Sequence, residues 1–131
     1  MKKAAVDFAD IHNASKVHAK DVSRWIQGLL RAIGVSERAA AQGLNIAESQ
    51  FTRMAHSKNG HYRTSTLEPI ERLEKIYKEA RETLTETGAR RWLTTPNPYL
   101  NDVPPVLCLR SDKEMEKVVS LLASVRYGFA A

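Results

Sequence analysis

Cysteine is nearly absent. Cys108 is the single one, so no disulfide can form within the chain, and a reducing compartment is expected. No apolar run approaches the roughly 20 residues that a membrane helix needs, and no membrane partner is expected. Asp7 and Asp10 interrupt the apolar stretch that a signal peptide would need near the start. A cytoplasmic location is therefore expected. Catalytic constellations are also missing. The sequence contains no nucleophile–base set, carboxylate pair, metal-ligand spacing or phosphate-cradling glycine loop. The expectation is a protein that is not an enzyme, with no catalytic residue and no cofactor. His56 and His61 are not four residues apart and have no carboxylate or Cys companion in their stretch, so no metal site is expected. Cys108 sits in the apolar run Val106-Leu107-Cys108-Leu109 and reads as buried and inert.

What is present is a divided charge. The chain of 131 residues carries a net +5, on a length suited to one domain or one domain with an extension. Residues 1–64 hold ten Lys/Arg and five Asp/Glu, and residues 65–131 hold ten of each, so the whole excess of 10 − 5 = +5 lies in the first half. A cationic footprint on one half fits a phosphate-binding module joined to a neutral module for another partner. It also fits a plain solvated basic face.

Residues 1–19 are weakly patterned. Val6, Phe8 and Ile11 are candidates for a short strand or helical turn, and residues 12–16 read as loop, so an N-terminal arm is expected. Residues 21–33 carry Val22, Trp25, Ile26, Leu29, Leu30 and Ile33 on one helical stripe, with Asp21 as N-cap and Gly34 as a left-handed terminator. Ser36 caps a short second helix filled by Ala39, Ala40 and Ala41. Asn45, tolerant of positive φ, marks a turn. A third helix over residues 48–57 places Phe51, Met54 and Ala55 on one side. Residues 56–64 read as a polar loop with an Asn59-Gly60 turn.

Ala41 facing its partner helix, Asn45 in the turn and Phe51 six positions later resemble the repressor-like Xre-type helix-turn-helix, over roughly residues 20–85. The resemblance implies that Ser49, Gln50 and Arg53 face base edges, Gln suiting adenine and Arg guanine. Thr52, Lys58, Asn59 and Arg63 would serve phosphates. Two residues depart from the pattern. Ala47 stands where a capping Ser or Thr is usual, and Glu48 places a negative charge beside it.

A long helix is expected over residues 67–87, capped by Ser65 or Thr66, with Pro69 in its first turn. Ile70, Leu73, Tyr77, Ala80 and Leu84 form a heptad-like seam, for packing within the chain or for pairing with a second copy. Glu68–Arg72, Glu71–Lys75 and Glu74–Lys78 are i, i+4 pairs on its outer face. Gly88 is expected to end or kink this helix. Pro96 and Pro98 then stop any helix near Thr94, with Trp92 and Leu93 placed in the core of the bend. Ser111 and Glu114 form a capping box for a last helix. That helix buries Met115, Val118, Val119, Leu122, Val125 and Phe129, with Gly128 as its terminator. Tyr127 and Phe129 read as partner anchors.

The series Arg91-Trp92-Leu93, Pro96-Asn97-Pro98, Leu100, Pro104-Pro105, the helix from Glu116 to Leu122 and the closing Tyr127-Gly128 resembles the toxin-binding domain of Xre/MbcA/ParS antitoxins. Asn101-Asp102-Val103 replaces a loop glycine usual there. The resemblance implies an all-α chain: an arm over 1–19, an Xre-like helix-turn-helix domain over 20–87, and a small helical toxin-binding domain over 88–131. It implies a type II antitoxin whose partners are a RES-type NAD-consuming toxin, or a ParT-like ADP-ribosylating one, and operator DNA, the protein acting as a homodimer. Arg126, Tyr127, Gly128 and Phe129 would reach the toxin. The alternative is a stand-alone Xre-type transcriptional regulator, whose C-terminal region serves dimerisation or an effector.

Overall fold

The computed structural model describes residues 15–128. The expectations for Val6, Phe8, Ile11 and Phe129 lie outside these residues. Six α-helices build the described chain, with one two-stranded antiparallel sheet.

Strand β1 (Lys16–His18) pairs with β2 (His61–Arg63), with Lys16 opposite Arg63, Val17 opposite Tyr62 and His18 opposite His61. The reading of residues 61–63 as loop is corrected here, and the end of the expected arm, Lys16–His18, is a strand. Three-residue strands are too short to show alternation. The first helix, α1 (Ala19–Ile33), starts two residues before the expected Asp21. His18 is the cap, its Nδ1 accepting from the Lys20 amide at 3.1 Å, and Asp21 sits in the first turn. A carboxylate there is favoured by the helix dipole. The whole expected stripe, from Val22 to Ile33, is buried. Gly34 ends α1 with φ of 80°.

Helix α2 (Glu37–Leu44) is capped by Ser36, which accepts from the Ala39 amide. Asn45 follows with φ of 60°, and the Ile46 amide donates back to the Ala41 carbonyl, which closes the helix end. Helix α3 (Glu48–His56) has no side-chain cap at Ala47. Phe51, Met54 and Ala55 bury its inner face. Its C-terminal end is tied to α1: the Ser23 hydroxyl and the Gln27 amide both donate to the Ala55 carbonyl. Those donors satisfy a carbonyl that the last turn leaves without a helical partner.

The single long helix expected over 67–87 is two helices. A 3-10 turn over Thr64–Leu67 leads into α4 (Glu68–Thr83), which starts at Leu67 without a side-chain cap from Ser65 or Thr66. Helix α5 (Glu86–Thr94) then begins afresh, its cap Thr85 accepting from the Gly88 amide. Gly88 therefore starts a helix instead of ending one. The seam residues Ile70, Leu73, Tyr77 and Ala80 are buried, with Ile76, against α5 and the last helix, α6 (Asp112–Arg126), of the same chain. A second copy would need another face. On the outer face, Arg72 Nε donates to the Leu109 carbonyl, Arg72 Nη1 lies 3.7 Å from Asp112, and Glu74 accepts from Trp25 Nε1.

Helix α5 ends where the prolines require. The Thr94 and Thr95 hydroxyls donate to the Arg90 and Arg91 carbonyls in the last turn, and Pro96 has no N–H to offer the Trp92 carbonyl that a continuing helix would use. Leu93 is buried, but Trp92 is half-buried on the helix surface, not in the core; the fully buried tryptophan is Trp25.

Candidate functional site

Two surfaces carry the candidate residues. The first begins at α3. Ser49, Gln50, Thr52 and Arg53 are all exposed on this helix, because Phe51, Met54 and Ala55 take up its buried side. Lys58 and Asn59 are exposed in the turn that follows, and Arg63 is exposed on β2. The carboxylates of this region already have partners. Arg38 lies 3.9 Å from Glu48, and Glu37 contacts His56 at 2.6 Å. His61 meets His18 edge-on, with ring centroids 5.0 Å apart.

The second surface runs from α5 to the end of α6. After Pro96 the chain folds into two 3-10 turns, Pro98–Leu100 and Pro105–Leu107. Asn97 organises the first. Its Oδ1 accepts from the Tyr99 amide at 2.9 Å, and its carbonyl accepts from Leu100 and Asp102. Asn101 and Asp102 hold φ of 59° and 62°. These two residues, which tolerate the left-handed region through their short polar side chains, make the turn that the missing loop glycine would have made. Leu100, Pro105, Val106 and Leu109 point inward, and Tyr99 is 59% exposed.

The turn residues also meet α2. At Gly43 an added Cβ would lie 2.3 Å from the Val106 carbonyl oxygen, so only glycine lets the two backbones approach. The Leu109 amide donates to the Gly43 carbonyl at 3.1 Å. Beside this joint lies an open groove of about 470 Å³, lined by Gln42, the 100–104 turn, Leu107, Cys108, Arg110, Glu114 and Lys117. The groove had no signal in the sequence, because its walls come from three separate segments. Cys108 is half-buried there, not fully buried as expected, and desolvation raises its thiol pKa.

Helix α6 starts from a dense set of caps. Ser111 accepts from the Glu114 amide, and Glu114 accepts from the Arg110 amide at 3.0 Å and from its guanidinium at 2.9 Å. The return bond goes to the residue before the cap, one position earlier than in the usual capping box. Hydrogen bonding from the Arg110 side chain holds the Glu114 carboxyl below its ordinary pKa, against some desolvation. Met115, Val118 and Leu122 bury the inner face, while Val119 and Val125 are only half-buried. At the far end Arg126 donates to Thr83 Oγ1 at 3.1 Å, Tyr127 is 70% exposed, and Gly128 has φ of 81°. Arg126, Tyr127 and Gly128 thus lie together at an open end.

No curated protein matches the chain. Residues 79–128 match the family model of the antitoxin Xre/MbcA/ParS C-terminal toxin-binding domain, a span that takes in the end of α4, α5, both 3-10 turns and α6. The Asn97-centred turn and the open end of α6 both lie inside the span that is similar to this antitoxin domain.

Proposed function

We propose that the protein neutralises a RES-type, NAD-consuming toxin by covering its active site, and represses its own operon through α2 and α3. The observation that carries the first part is the end of α6. A tyrosine that is 70% exposed stands beside an arginine and a positive-φ glycine, at the close of a domain whose family binds toxins. A large aromatic and an arginine at an open helix end are the kind of anchor that fills a partner's cleft. Phe129 and the two residues after it extend the same tail. Arg126 suits an acidic group in that cleft. The NAD-consuming partner follows from the family resemblance, and a ParT-like toxin would be met in the same way.

The second part rests on α3, where Ser49, Gln50 and Arg53 are open to a base edge and Thr52, Lys58, Asn59 and Arg63 to phosphate. In this reading residues 20–87 form the DNA-binding unit, residues 88–131 the toxin-binding unit, and the protein works as a homodimer on a two-fold operator.

The test is co-expression with the neighbouring small reading frame, followed by copurification and a growth assay. Removing Arg126–Ala131 is expected to leave a folded protein that no longer neutralises the toxin. A truncated chain that still neutralises fully overturns the tail model. Arg53→Ala is expected to weaken operator binding by about 1–3 kcal/mol, read by fluorescence anisotropy.

A further inference from the structure

The strand pair β1–β2 presents a cationic face that the helix-turn-helix pattern does not contain. Alternation along the strands turns Val17 and Tyr62 inward, leaving Lys16, His18, His61 and Arg63 exposed on the outer side. The register sets Lys16 directly opposite Arg63 and His18 opposite His61. Like charges facing each other across an antiparallel pair oppose the pairing, and a two-stranded pair this short has little stability to lose. Among the described residues neither Lys16 nor Arg63 has an ion-pair partner. Lys20, exposed in the first turn of α1, and Lys58, in the turn before β2, extend the same charge. From Ser57 to Leu67 the chain has no acidic residue.

The place of the strand pair in the fold identifies the anion. Helix α3 has nine residues, about 13 Å at 1.5 Å per residue, close to the roughly 12 Å width of a DNA major groove. With its first turns at base edges, its last turn emerges beside the flanking phosphates. Strand β2 begins five residues after the last residue of α3, since 61 − 56 = 5. The Gly60 carbonyl accepts from the Ala19 amide at 2.9 Å, which fixes the strand pair to the start of α1.

We propose that β1–β2 is a wing that grips the DNA backbone beside the segment faced by α3, with Lys16 and Lys20 as phosphate contacts additional to Arg63. The proposal rests on the DNA-binding reading of α3. A wing of this kind adds affinity without sequence preference, because phosphates are the same at every base pair.

The experiment measures anisotropy of a duplex taken from upstream of the protein's own gene, and of a scrambled duplex of equal composition, over a series of salt concentrations. Four proteins are compared: wild type, Arg53→Ala, the pair Lys16→Gln with Lys20→Gln, and a control pair, Lys75→Gln with Lys78→Gln, on the outer face of α4. The wing pair is expected to lower the slope of log K against log salt by about 2, near 0.9 for each phosphate that is no longer neutralised, equally on both duplexes. The control pair, with the same change in net charge, is expected to leave the slope unchanged. If wild type binds and Arg53→Ala weakens the upstream duplex, yet the wing pair keeps the wild-type slope or the control pair lowers it as much, the wing is wrong while the α3 reading stands. If wild type binds neither duplex, the DNA reading falls and takes the wing with it.

Discussion

Helices α3 and α6 are secured at opposite ends. Helix α3 is tied at its close, where Ser23 and Gln27 reach across from α1 to the Ala55 carbonyl, and its start at Ala47 has no side-chain cap. Helix α6 is tied at its start, by Ser111, Glu114 and Arg110, while its close leaves Tyr127 in solvent. Each helix is fastened at one end and presented at the other. The comparison teaches where to look on a small helical protein: the end less tied to its neighbours leaves side chains in solvent, Ser49 and Gln50 on α3 and Tyr127 on α6.

The largest expected effect comes from the contact between the two regions. Gly43→Ala would push a methyl against the Val106 carbonyl. The expected cost is about 1–3 kcal/mol, larger than the roughly 1 kcal/mol that alanine returns through helix propensity. Chemical denaturation would read it, and a neutral or stabilising result would mean that α2 and the 105–109 turn are not in fixed contact.

A middle effect comes from making the start of α6 as bare as that of α3. Ser111→Ala is expected to cost about 1 kcal/mol, seen as a lower melting temperature. Its neighbour adds a pH dependence. Because the folded-state pKa of Glu114 is depressed, its contribution is present above the ordinary carboxylate range and is lost as pH falls through the depressed value. The stability advantage of wild type over Glu114→Gln is therefore expected at neutral pH and should vanish in acid. An advantage that persists in acid would show that the carboxylate charge is not its source.

The smallest effect is the reverse exchange. Ala47→Ser gives α3 the cap that α6 has, with an expected gain of about 0.5–1 kcal/mol in thermal unfolding. A loss would show that the first turn of α3 is already satisfied by another route.

Much of this architecture was legible in the residues. The stripe from Val22 to Ile33, the Ser36 and Ser111 caps, and the left-handed Gly34 and Asn45 each follow from one local rule. The break at Leu84–Thr85 was not legible, because no proline or glycine marks it and the apolar seam runs on through Leu84. The strand pair was missed because its partners are more than 40 residues apart and each strand has only three residues. Trp92 was assigned to the interior by size, but its neighbour Leu93 takes that direction on α5. The exposed positions of α3 followed from the register of Phe51. The bonds that hold α3 join residues about 30 apart in sequence, a separation that periodicity does not report.

The Gly43 joint has a mechanical meaning. A main-chain hydrogen bond at a point where no side chain fits leaves neither slack nor a swivel between the 100–109 turns and α2. In the proposed function, a toxin held at the end of α6 and DNA lying along α3 would be set at one angle to each other by that stiff frame, so the bulk of the first would decide which approach stays open to the second.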